Sequence, residues 1–307
     1  MKEQIKQVIR QSPDPRQARN LVREYCQARI LQSLQEAGAY RFWIFHGGTA
    51  LRFLHGLPRY SEDLDFALSP SPKSIDFQEI VSRVCRSFEA EAYNVESRKL
   101  REQPAVKSVF ITFPGLLFEL GLSPHRTEAL SIKIEYDSRP PGGGTTATSI
   151  IRRHVLLNVL HYDRASLLSG KIHAVLMRPY IKGRDLYDLL WYLSDPSWPP
   201  PNFGFLNEAL RQTEWRGPEI TGPNWIRLLA ERLDGVDWPR AVEDVGPFIE
   251  RPSELALLSK ETFQKLFEAK TGCGGVFKGE PSLTKALLEE RKPDRRRENR
   301  KDENILP

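Results

Sequence analysis

Two short stretches of this sequence carry residues of types and spacing that could do chemistry. The first is Phe45-His-Gly-Gly-Thr-Ala-Leu51 and the second is Arg59-Tyr-Ser-Glu-Asp-Leu-Asp-Phe66. Two glycines behind a buried strand let the backbone approach a ligand closely, and the N–H groups of the helix that follows point at an anion. Asp63 and Asp65 stand two apart on a strand, so both carboxylates project from one face. Carboxylates held that close repel unless a divalent cation lies between them, and Mg²⁺ favours one or two carboxylates completed by phosphate oxygens and water. A phosphate cradle leading into a metal clamp is the minimum apparatus for positioning a nucleoside triphosphate. Singly, Gly-Gly is an ordinary turn and Asp-x-Asp an ordinary solvated edge strand. Their order and spacing in an apolar setting select the chemistry.

The elements that must position these groups read as an α+β N-terminal lobe followed by helices. Residues 15–39 have Val22, Cys26, Leu31 and Leu34 at helical spacing, with Gly38 as a C-cap. Phe42-Trp-Ile-Phe45 reads as a buried strand, and residues 49–54 as the first turns of a helix capped by Thr49. Residues 63–68 alternate acidic and apolar, the pattern of a strand with one polar face. Residues 75–88 return to helical spacing, and 106–113 and 130–136 are further strands. In the last of these Ile132 and Ile134 face one way, Lys133 and Glu135 the other. Arg139-Pro-Pro-Gly-Gly-Gly144 is a break, either a lobe boundary or an exposed loop. Beyond Asp163 the readable segments are helical: 164–176, 185–193, 203–212, 225–233, 253–267 and 283–290. The expected organisation is a lobe over 1–150, a helical lobe over 151–290 and a charged tail over 291–307.

Composition bounds the function classes. With 307 residues, 40% hydrophobic and 28% charged, the chain is globular in character, and wholesale disorder is excluded. No apolar run is long enough to cross a bilayer, and the N-terminus lacks the apolar stretch of a signal peptide. Cys26, Cys85 and Cys273 are odd in number, widely spaced and without a Cys-x-x-Cys pair, which argues against a disulfide framework or zinc knuckle and fits a reducing cytoplasm. The net charge of +5 suggests an anionic partner. Residues 291–301 alone carry seven Lys/Arg and two Asp/Glu, so the basicity sits in the tail and the rest is near neutrality.

Gly-Gly-Thr-x-Leu followed by Arg-x-Ser-x-Asp-x-Asp-Phe resembles the AbiEii/AbiGii toxin family, a branch of the polymerase-β-like nucleotidyltransferases. Lys133-Ile-Glu135, Lys171-Ile-His-Ala-Val-Leu-Met-Arg178 and Arg184-Asp185-Leu-Tyr-Asp188 match further motifs of that family in order. The resemblance covers residues 42–193. One departure is His46, where the family has lysine before the glycine pair, which bears on nucleotide affinity and choice. The resemblance implies a polymerase-β-like nucleotidyltransferase lobe with a mostly helical second lobe. It further implies that Asp63 and Asp65 hold Mg²⁺ against the triphosphate of an NTP, that Gly47, Gly48 and Thr49 cradle phosphates, and that Lys133 and Arg184 lie on the nucleotide side. Glu135 becomes the third acid, orienting or deprotonating the attacking hydroxyl. Lys171 neutralises charge on the transferring group, and Asp185 is catalytically important.

Each of these residues also has a plainer reading. Lys133 and Glu135 form an exposed pair on an amphipathic strand, Lys171 either snorkels to solvent or reaches into a cleft, and Asp185 is favourable with a helix dipole. Asp188 reads as structural, and Leu186, Leu189, Leu190 and Trp191 as core. The function implied is that of a cytoplasmic toxin of a toxin–antitoxin or abortive-infection system. It would transfer a nucleotide from an NTP to an RNA hydroxyl, foremost a tRNA 3′ end, with a separately encoded antitoxin as partner and no membrane. The rivals are nucleotidylation of a protein, phosphotransfer, and a non-catalytic nucleotide- or RNA-binding regulator. Gly142-Gly-Gly-Thr-Thr146 lacks the Gly-Lys-Ser/Thr of a P-loop, and no Gly-x-Ser-x-Gly elbow accompanies His46-Gly-Gly.

Overall fold

A computed structural model describes residues 2–10, 12, 14–70, 76–99 and 105–271. The 291–307 tail, the expected helix over 283–290 and Cys273 lie outside the described residues. Two helices, α1 (Lys2–Arg10) and α2 (Pro15–Glu36), come first. α2 has Asp14 as N-cap and Pro15 in its first turn, and it ends before Gly38, which takes the left-handed conformation at φ 76°. Strand β1 (Trp43–His46) leads into α3 (Gly47–His55), and β2 (Leu64–Leu68) into α4 (Phe77–Glu89). Next come β3 (Glu96–Lys99), β4 (Val106–Pro114), the short α5 (Leu116–Glu119), β5 (Ala129–Asp137), β6 (Thr146–Arg153) and β7 (Val155–Tyr162). The helical part comprises α6 (Arg164–Met177), α7 (Gly183–Leu193), α8 (Phe203–Gln212), α9 (Trp225–Leu233), α10 (Trp238–Val245) and α11 (Lys260–Thr271).

The strands form one mixed sheet in the order β3-β4-β5-β2-β1-β7-β6. β2 runs antiparallel to β1 and parallel to β5, so the short apolar strands β1 and β2 lie at the centre. Trp43, Ile44 and Phe45 are buried, and Trp43 packs on Phe66, Phe77 and Tyr136. α2 covers β5 and β7 and packs on α4, while α6 packs against α7, α8 and α9. The alternation expected in β5 is present: Ile132 and Ile134 are fully buried, and Lys133 and Glu135 are on the other, partly open face.

The structure differs from the sequence reading at four places. α3 begins at Gly47, two residues earlier than expected, so Thr49 is inside the helix and His46 occupies the N-cap position. β3, β6 and β7 have no counterpart in the sequence reading, and β6 spans the position expected to divide the lobes near residue 150; the sheet ends at Tyr162. β6 is an edge strand with exposed Thr146, Thr148 and Ile150, and an edge exposed in this way has no hydrophobic alternation to betray it. The helix expected over 253–267 is two elements, a 3₁₀ turn (Pro252–Leu257) and α11. Leu258 leaves helical backbone, and the Ser259 hydroxyl then accepts the Thr262 N–H at 3.3 Å to restart the helix.

Candidate active site

The sheet brings residues of three segments, acidic ones from two of them, to one edge of the central strands. Asp65 on β2 pairs in register with His46 at the end of β1 and with Glu135 on β5. Asp63 immediately precedes β2. Gly47 has φ 79°, a conformation that favours glycine, and a Cβ there would collide with the Asp65 carboxylate. Gly47 is therefore required by the close approach of its backbone to Asp65, and Gly48 by that of its backbone to Arg59 and Ser61. Thr49 is fully buried and its hydroxyl donates to the Asp63 carbonyl, tying α3 to the segment that carries the first aspartate. Only its backbone N–H could serve a phosphate.

Burial, then the charge of neighbouring carboxylates, raises both aspartates: Asp63, beside Asp65 and Glu62, to about 6, and Asp65, beside Glu135, to about 6. Among the described residues neither forms an ion pair. Lys133 pairs instead with Glu135, whose carboxylate outweighs burial and keeps the ammonium charged. The donor set fits a divalent cation: two hard carboxylates, largely desolvated, whose repulsion a cation would relieve. Among the described residues no group of three or more His, Cys, Asp or Glu is arranged to hold a metal, so a bound Mg²⁺ would draw the rest of its shell from ligand oxygens and water. His46, where the resemblance has lysine, is pushed down to about 4 by burial and is neutral near pH 7.

The helices supply the opposing charges. Lys171 on α6 does not snorkel: its side chain is 13% exposed and its Nζ lies 2.7 Å from Asp188 and 3.3 Å from Asp185. Asp185, in the first turn of α7, is buried and also pairs with Arg178. Asp188 is completely buried, in keeping with its structural reading, and takes a two-point contact from Arg59. Arg184 bonds Glu62 at 2.6 Å and lies 4.6 Å over the Phe248 ring, near enough for its charge to act on Asp63. Leu186, Leu189, Leu190 and Trp191 are buried core. The sheet thus gathers Asp63, Asp65, Lys133 and Glu135, and α6 and α7 gather Lys171, Arg178, Asp185 and Asp188 beside them; the field of Lys171 lowers Asp65. Arg59 and Arg178, motif residues given no role from sequence, belong to this cluster. Their signal was their place in the motifs, because nothing in their local spacing reveals a partner.

A family model described as the nucleotidyl transferase AbiEii toxin of a type IV toxin–antitoxin system matches residues 29–269. Among curated proteins none is a significant sequence match. Two solved structures share the fold. MenT4, a nucleotidyltransferase toxin from Mycobacterium tuberculosis, is 16% identical with a TM-score of 0.51, over 94% of this chain and 99% of that one. A Helicobacter pylori protein described as a nucleotidyltransferase candidate is 17% identical with a TM-score of 0.50, over 83% of this chain and 98% of that one. With the family model spanning most of the chain, sheet and helices alike, this protein belongs to the AbiEii nucleotidyltransferase toxin family.

Proposed function

We propose that the chain is a Mg²⁺-dependent toxin that transfers a nucleotide from an NTP to an RNA hydroxyl, with a tRNA 3′ end as the foremost acceptor and a separately encoded antitoxin as its partner. The observation that carries this reading is the Asp63/Asp65 couple, which has no ion pair among the described residues, is raised to about 6 and is backed by Gly47. Mg²⁺ held by these two carboxylates would neutralise triphosphate charge as a Lewis acid. The Gly47, Gly48 and Thr49 backbone at the start of α3 receives phosphate oxygens. Glu135, in register with Asp65, orients the acceptor hydroxyl and takes its proton as the oxygen attacks the α-phosphorus. One P–O bond forms, the α–β bridge breaks, and pyrophosphate leaves. Lys133 pairs with Glu135 and holds it in place, and Lys171, steadied by Asp185 and Asp188, faces the charge that develops on the phosphoryl group. Arg184, drawn to Glu62, flanks the nucleotide side. The basic tail suits a polyanionic acceptor.

The test incubates purified protein with Mg²⁺, total bacterial RNA and each of four α-labelled NTPs, beside folded Asp63→Ala. Label entering a tRNA-sized band from one preferred NTP, reduced at least about 1,000-fold in the variant, is expected. Label in protein with RNA unlabelled would replace the acceptor. A γ-labelled product would replace the reaction by phosphotransfer. No labelled product, and no Asp63-dependent toxicity in cells, would leave a nucleotide- or RNA-binding regulator.

A further inference from the structure

We infer that Arg59 and Asp188 are positioning residues, a buried guanidinium–carboxylate pair that sets where the Lys171 ammonium stands beside Asp65. The inference rests on the nucleotide-transfer reading above. Arg59 lies in the loop between the glycine pair and the aspartates, where an arginine could be taken for a phosphate ligand. Its nitrogens are committed elsewhere. Nε and Nη2 donate to the two oxygens of Asp188 at 2.6 Å each, and Nη1 donates to the Tyr60 carbonyl at 2.9 Å. A Cβ on residue 48 would fall 2.6 Å from Arg59 Nη2, so the guanidinium forms the floor beneath the glycine pair.

Asp188 has no exposed side-chain surface, and its Oδ2 also meets Lys171 Nζ at 2.7 Å. The second carboxylate within reach of Lys171, Asp185 at 3.3 Å, is shared with Arg178. Three cations thus face two carboxylates, leaving one net positive charge in a largely buried cluster beside Asp65. Desolvation makes such a cluster unfavourable unless its geometry is good, and a planar guanidinium meeting a carboxylate at two points gives that geometry. Burial opposes the charge on Asp188, but Arg59 and Lys171 hold its carboxyl below the ordinary range.

The backbone of Arg59 is fixed from the other side. Arg59 bridges to Ile249, the Tyr60 N–H donates to the Phe248 carbonyl at 2.7 Å, and the Glu250 N–H donates to the Pro58 carbonyl at 3.3 Å. The side chain is thereby a strut between the loop that leads to Asp63 and the helix that steadies Lys171. Without the Asp188 charge, Lys171 keeps one shared, longer contact and its Nζ can move. A displacement of about 1 Å in a positioned group costs about 100-fold in rate.

The test compares Asp188→Asn, Arg59→Lys, Arg59→Met and the double variant Arg59→Met/Asp188→Asn in the full chain. Folding is checked by circular dichroism, and the number of NTP sites by equilibrium binding. For folded Asp188→Asn, kcat should fall about 10- to 100-fold with KM for NTP within about 3-fold. Arg59→Lys should recover part of what Arg59→Met loses, and the double variant should be no worse than the poorer single one, since both act through one contact. A second readout follows the Lys171 ammonium by ¹⁵N NMR of ¹⁵N-lysine-labelled protein, where Asp188→Asn should shift or abolish the resonance. Unchanged kcat in folded Asp188→Asn would overturn the inference. So would a tenfold rise in KM for Arg59→Lys with kcat held, which would make Arg59 a phosphate ligand, or multiplying losses in the double variant. If the wild type transfers no nucleotide, the resonance decides alone. A shift in Asp188→Asn sustains the positioning while the transfer reading falls, and an unmoved resonance overturns the positioning itself.

Discussion

The site holds two couples of carboxylates that the fold treats in opposite ways. Asp63, just before β2, and Asp65, on it, are half-buried beside other acids, and among the described residues neither has an ion pair; both are raised to about 6. Asp185 and Asp188, on α7, are more deeply buried yet paired with Lys171, Arg178 and Arg59. The same residue type thus serves two ends. Carboxylates left unpaired store repulsion that a cation relieves, while carboxylates already paired fix where protein cations stand. Buried unpaired charge has a cost to folding, so its presence at one place and its avoidance a helix away marks which couple is built for a ligand.

Three substitutions test that contrast. The largest effect is expected from Gly47→Ala, which puts a Cβ into the Asp65 carboxylate at a φ of 79°. Displacing Asp65 should lower transfer by about 100-fold or more and destabilise by about 2–3 kcal/mol, read by labelled-NTP incorporation and urea unfolding. Near-normal activity would mean that Asp65 need not stay where the glycine leaves room for it.

Asp65→Asn sharpens the contrast through pH. The folded value of Asp65 is raised from 3.8 to about 6, so the folded state binds more protons than the unfolded one between those values, and stability falls as pH rises through that window. The neutral asparagine escapes that loss. It should add about 1–3 kcal/mol at pH 7.5, less at pH 5.5 and nothing by pH 3.5, measured as unfolding free energies. A gain that is the same at all three pH values would assign it to packing. The smallest effect belongs to Arg227→Ala, which removes an exposed pair with Glu231 on α9 at 2.5 Å and should change stability by under about 0.5 kcal/mol in thermal unfolding. A loss above about 1 kcal/mol there would blur the distinction between exposed and buried pairs.

Legibility in the sequence followed the range of the interactions. The apolar run Phe42-Trp-Ile-Phe45 before the glycine pair, the alternation Asp63-Leu64-Asp65-Phe66 and the alternation Ile132-Lys133-Ile134-Glu135 are local patterns, and β1, β2 and β5 formed where they lie. Thr49 was a plausible cap by local rule, but the helix began at Gly47 and its hydroxyl found the Asp63 carbonyl fourteen residues on. β6 was invisible because an exposed edge strand does not need the alternation that reveals a half-buried one, whereas β7, between β1 and β6, does bury Leu157, Val159 and His161 in alternation and was missed. Lys171 was ambiguous between solvent and cleft, since its apolar neighbours Ile172 and Val175 are compatible with either.

By itself the sequence determined which residues could bind an anion and a cation, because residue type, a two-residue strand period and glycine's freedom at positive φ are properties of a few adjacent residues. Tertiary structure alone decided that Asp65 stands beside Glu135, that Arg59 turns to Asp188 in place of a phosphate, and that Lys171 points inward. Arg59 and Asp188 are 129 positions apart. No local preference encodes such a contact. It follows from the packing of α7 against the loop before β2, where an unpaired buried charge would be too unfavourable to persist.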